Sequence, residues 1–148
     1  MLVCGDLRVS LNRLARSHWA AGRTLRSWGA VPWVRHGARL LAPCAGDEAL
    51  WLGAWREGDA ASPLVLGVAD PATGRRATLQ VPPGYQITAL GDQPIACAGP
   101  PRSLRLQLPA PAGEVELQLL APADWAAAAR RPLPAPLTTE PPLPPRLG

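Results

Sequence analysis

The chain has 148 residues, 47% of them hydrophobic and 18% charged, with a formal charge of +4. That length and apolar content point to one globular domain with a real core, and they exclude a disordered chain. No apolar run approaches the ~18 residues of a membrane span, and Met1–Cys4 lacks the regions of a signal peptide, so a cytoplasmic location without a membrane partner is expected. An exported or virion assembly is the other setting in which such a chain would be found.

All 15 basic residues are arginine, phenylalanine is absent, and Asn12 and Tyr85 are single representatives of their types. The missing types share AT-rich codons, which points to a GC-rich genome rather than to guanidinium chemistry. Charge is uneven. Residues 1–39 carry seven arginines against Asp6, a formal +6, and the remainder carries eight against ten acids, a formal −2. A basic first third implies an anionic neighbour or a solvated face.

In chain order, Leu7, Val9 and Leu11 alternate with Arg8, Ser10 and Asn12, which predicts an opening strand over 7–11. Leu11, Leu14, His18, Ala21, Leu25 and Trp28 have helical spacing, but Gly22 weakens a helix there. A short helix or irregular segment is expected over 13–21, then extended chain through Pro32. Arg39–Ala42 reads as a short strand. Ala49–Trp55 follows, apolar on both faces, as a central strand covered twice. Strands over 64–69 and 76–81 flank Asp70-Pro71-Ala72-Thr73-Gly74, a turn sequence that predicts a hairpin. Alternation predicts further strands over 85–89, 104–108 and 115–119. Pro122, Asp124 and Ala126–Ala129 predict a helix of one or two turns, anchored by Trp125 and stopped at Pro132.

Short, evenly spaced strands divided by Gly/Pro turns indicate an all-β fold, an antiparallel β-sandwich of jelly-roll or immunoglobulin-like kind. One domain over 1–131 would end in the short helix. Residues 132–148 would form an extended Pro-rich tail.

No signature of catalysis or of a cofactor is present: no G-x-S-x-G, no G-x-G-x-x-G, no P-loop. Cys4, Cys44 and Cys97 form no CxxC pair, and His18 and His36 have no zinc-ligand spacing, so no metal is expected. The chain therefore reads as a non-catalytic structural or interaction module, docking to a protein partner or to a neighbouring subunit in a homo-oligomer. The basic third would supply Arg13, Arg16, Arg23 and Arg26. The tail would supply Leu137, Leu143 and Leu147 as apolar anchors, and Arg146 to meet a carboxylate.

Pro141-Pro142-Leu143-Pro144-Pro145-Arg146 resembles the Pro-rich ligands of SH3 domains, although a strap across this domain or its neighbour is the preferred reading. The strand layout looks like the small all-β accessory domains of sugar-active enzymes or of phage and capsid assemblies. That likeness keeps two alternatives in view. One is a carbohydrate-binding module stacking a sugar on Trp51 or Trp55, which are otherwise expected in the core. The other is an assembly protein that contacts nucleic acid weakly through its arginines and interleaved tryptophans.

Overall fold

The computed structural model describes residues 1–58, 62–97 and 100–137. Twelve strands occupy them: β1 (Leu2–Cys4), β2 (Leu7–Ala15), β3 (Val34–His36), β4 (Arg39–Pro43), β5 (Glu48–Arg56), β6 (Leu64–Ala69), β7 (Arg76–Val81), β8 (Gln86–Ile87), β9 (Ala89–Leu90), β10 (Gln93–Pro94), β11 (Arg102–Gln107) and β12 (Glu114–Leu120). One helix, α1 (Pro122–Ala129), follows. The fold is all-β, with a single short helix after the last strand.

The strands form a four-stranded sheet in the order β1-β2-β5-β8, a six-stranded sheet in the order β3-β4-β12-β11-β6-β7, and a small β9-β10 ribbon. Every pair is antiparallel except β4 with β12, which run parallel from Arg39 opposite Glu116 to Pro43 opposite Leu120. The larger sheet is therefore mixed, a departure from the antiparallel expectation. A parallel pair needs a long crossover, and the chain between β4 and β12 supplies one through the other sheet.

Alternation builds the core. Leu7, Val9 and Leu11 of β2 and Leu50, Leu52 and Ala54 of β5 face inward from the smaller sheet. Leu40, Leu66, Val68, Leu104, Leu106, Leu117 and Leu119 come from the larger one, and all belong to one buried cluster. Each such valine or leucine side chain contributes about 1.5–3 kcal/mol on leaving water.

The outer faces are partly covered as well. Trp125 of α1 packs on Leu41 and Leu120, and its Nε1 donates to the Leu41 carbonyl at 2.9 Å. The helix thus has its expected anchor. On the other sheet, the loop over 19–31 lies across Leu14, Ala49 and Trp51. Its return segment runs along β2, with Val31 N donating to Leu11 O and Trp28 N to Arg13 O, both at 2.8 Å. Gly53 is required beneath it. A Cβ there would stand 2.8 Å from Ser10 Oγ and 3.0 Å from the Trp51 ring.

The Asp70–Gly74 hairpin forms between β6 and β7, with Gly74 at φ +75° and its N–H donating to Asp70 O at 2.8 Å. Three expectations are corrected. The first long strand continues to Ala15, and the segment over 13–21 keeps a single 3-10 turn at Arg16–His18. The strand over 85–89 breaks at Thr88, whose carbonyl accepts from Trp19 Nε1 at 2.8 Å instead of joining a ladder. Trp55 is not core. It is 41% exposed because the covering loop reaches Trp51, 9% exposed, and stops short of Trp55.

Candidate functional site

The inward alternation of β2 runs Leu7, Val9, Leu11 and then Arg13, and that of β5, read backward, runs Ala54, Leu52, Leu50 and then Glu48. Both strands therefore end their core-facing stripe on a charge. The two charges meet. Arg13 Nη2 donates to Glu48 Oε1 at 3.0 Å, and Arg13 Nε lies 3.0 Å from Oε2. That Nε–H is not aimed at the carboxylate, so it is a close charge contact and leaves the hydrogen bond unmade. The side chains are only 13% and 7% exposed. Burial pushes the Glu48 carboxyl above its ordinary range and Asp47 adds to the effect, against the opposing pull of Arg13.

The third donor of Arg13 leaves the pair. Its Nη1 donates to the carbonyl of Ala135 at 2.9 Å, tying the C-terminal segment to β2. Between them lies an apolar cavity of about 280 Å³, bounded by Val31, Pro32, Pro43 and Pro122 on one side and by residues 133–137 on the other, with Arg13 and Glu48 at its polar wall. Pro134 and Leu137 are half-buried and Leu133 is 64% exposed. Pro134 and Leu137, three residues apart, are thus turned toward the domain, and Leu133 toward solvent.

The structure brings Arg13 and Leu137 to this one cavity and sends the other arginines elsewhere. Arg16 sits exposed on the 3-10 turn and lines a separate cleft with Arg75 and Arg102. Arg23 and Arg26 are exposed on the 19–31 loop, around a shallow depression with His18 and Trp28, whose rings meet edge-on at 4.9 Å. Leu143, Arg146 and Leu147, and with them the motif over 141–146, lie outside the described residues.

Trp51 donates Nε1 to Arg26 O at 3.3 Å beneath the loop. Trp55 donates to Glu57 Oε1 at 2.9 Å on the open part of the same face, opposite Arg8 in register. The thiols are buried, and burial pushes Cys44 up to about 12, which keeps it protonated and unreactive at neutral pH. Among the described residues, no three His, Cys, Asp or Glu side chains gather as a metal site, and no helix is long and apolar enough to cross a membrane.

Sequence reasoning passed over Glu48, Gln86, Asp70 and Arg102. Glu48 was visible in principle as the next inward position of an otherwise apolar strand. Gln86 holds both backbone groups of Leu25, donating from Nε2 at 2.8 Å and accepting at Oε1 at 3.0 Å, and nothing local to residue 86 signals that. Asp70 looked like a turn residue, yet it is 2% exposed and accepts from Arg102 Nη2 at 2.9 Å. No family model matches the chain, and neither a curated protein nor a solved structure matches it.

Proposed function

We propose that this chain is a non-catalytic interaction module that docks to a protein partner, or to a neighbouring subunit, through the face where its C-terminal segment crosses the basic N-terminal third. The observation that carries this reading is the Arg13–Ala135 hydrogen bond over the apolar cavity. It ties a Pro-rich segment to the surface, where Leu133 stands 64% exposed. An extended segment without internal hydrogen bonds loses little entropy on docking and presents its carbonyls and apolar side chains to a partner. Two sheets around one core support a β-sandwich of jelly-roll or immunoglobulin-like kind as the scaffold. Cysteines outside any disulfide suit a reducing compartment such as the cytoplasm.

The test compares the intact protein with a chain lacking 132–148 and with Leu133→Asp. Both variants keep the intact protein's circular dichroism and lose self-association or a stoichiometric partner. Retention of every interaction by both variants overturns the reading.

A second reading rests on Trp55, exposed on an otherwise covered sheet face beside Arg8. As a sugar platform it would bind on a glycan array, and folded Trp55→Ala would not. The nucleic-acid reading has less support, because its arginines fall on three separate surfaces rather than one stripe.

A further inference from the structure

Three guanidinium groups from distant parts of the chain line one cleft of about 320 Å³: Arg16 from the turn after β2, Arg75 from the end of the β6–β7 hairpin, and Arg102 from the start of β11. Their placement is built. Arg16 N donates to Asp47 O at 2.7 Å, which fixes the turn. Arg75 lies along the β9–β10 turn, where a Cβ on Gly91 would stand 3.6 Å from its Cδ. Arg102 is held by Nη1 to Ala96 O at 2.8 Å and by Nη2 to Asp70 Oδ2 at 2.9 Å.

Asp70 pairs with Arg102, while Asp92, on the neighbouring turn, accepts from Gln93 Nε2 at 3.4 Å and keeps its charge. No carboxylate among the described residues lies within 4.0 Å of the Arg16 or Arg75 guanidinium. Two arginines that have no carboxylate within 4.0 Å among the described residues therefore line a concavity shared with Gln93, Pro94, Ala96 and the prolines 100 and 101. Like charges gathered this way repel each other and attract an anion. Guanidinium forks match phosphate oxygens in pairs, and a phosphate monoester carries about −1.5 to −2 at neutral pH, a complement to the Arg16 and Arg75 charges. The volume sits at the lower end of the range for small-molecule sites.

We propose that this cleft binds a small phosphate monoester, with Arg16 and Arg75 as the charge partners, Arg102 as a fixed third wall, and the proline rim against the ester group. The site is separate from the docking face, and neither assignment depends on the other.

Isothermal titration of the full chain with phenyl phosphate, inorganic phosphate and phenyl sulfate tests it, beside a short single-stranded oligonucleotide. Phenyl phosphate is expected to bind tightest. Arg16→Gln and Arg75→Gln should each weaken it about tenfold or more. Arg105→Gln, on the opposite side of β11 and paired with Glu114, should leave it unchanged. Equal affinity for inorganic phosphate overturns the ester assignment in favour of free phosphate, and equal affinity for phenyl sulfate overturns recognition of the dianion. An oligonucleotide that binds tighter than phenyl phosphate overturns the small-ligand assignment. Binding unaffected by either substitution, or no heat at millimolar phenyl phosphate, overturns the site itself.

Discussion

Glu48 and Arg13 stand where the inward stripes of β5 and β2 leave the core, and their pairing is what makes a charge tolerable there. Removing one partner strands the other away from water. Arg13→Met should cost about 3–5 kcal/mol, and Arg13→Met with Glu48→Leu should recover most of it, a coupling that urea midpoints of the double-mutant cycle will show.

The two buried acids titrate with opposite sign. Asp70 is pushed up by burial but held below its ordinary range overall by the Arg102 hydrogen bond, the Ala72 N–H and the Arg102 charge. Its stabilisation is complete above the ordinary carboxylate value of about 3.9 and disappears as pH falls through the depressed one. Glu48, raised by burial, works the other way, and its unfavourable contribution grows as pH rises through its elevated value. Asp70→Asn should therefore destabilise the protein at pH 7 and converge on the wild type as pH falls below about 3.9 through the depressed value, as followed by urea titrations at successively lower pH.

The tryptophans separate by cover. Trp51→Ala should cost about 3–5 kcal/mol and Trp55→Ala less than about 1 kcal/mol, in the same assay.

The loop over 19–31 has little regular structure of its own, yet it covers Leu14, Ala49 and Trp51 because side chains elsewhere hold its backbone. Gln86 clamps Leu25 and Trp51 takes the Arg26 carbonyl, while the loop's own Trp19 donates to the Thr88 carbonyl beyond it. Gln86→Ala should let the loop open locally while the sheets stay folded. Hydrogen exchange at the Leu25 amide should quicken about tenfold or more, with amides of β5 unchanged.

This loop marks the limit of what the residues disclose in order. The hairpin around Asp70–Gly74, the strands expected over 104–108 and 115–119 and found at Arg102–Gln107 and Glu114–Leu120, and the helix anchored by Trp125 were legible, because period two, turn chemistry and helix-end residues are local signals. The parallel pairing of β4 with β12, the break at Thr88 and the exposure of Trp55 depend on partners far away in sequence. Local pattern carries no trace of them. Trp51 and Trp55 have the same parity and similar neighbours, and only the reach of the loop distinguishes them.

Across the whole molecule, the seven arginines of the first third turn out to serve different ends. Arg13 is internal and ties the C-terminal segment down, Arg16 joins two later arginines around a cleft, and Arg23 and Arg26 ride on the covering loop. A net charge read from composition could mark the region as basic. It could not show which charges the fold would neutralise, because Glu48 and Asp70 reach their arginines only through the sheet register. The Pro-rich composition after residue 131 was readable, and residues 138–148 of it lie outside the described residues. The point of attachment at Ala135 was not readable, since a backbone carbonyl accepting a distant guanidinium leaves no sequence mark.

The proposed docking face would join the module to another chain. Sedimentation of the protein isolated from its native source, beside the same protein lacking 132–148, tests that most directly. The intact protein should sediment above the 15.6 kDa of a single chain, as an oligomer or with a stoichiometric protein partner, and the truncated one should fall to the mass of a folded single chain. Two single-chain masses, with no co-purifying protein in either preparation, would contradict it.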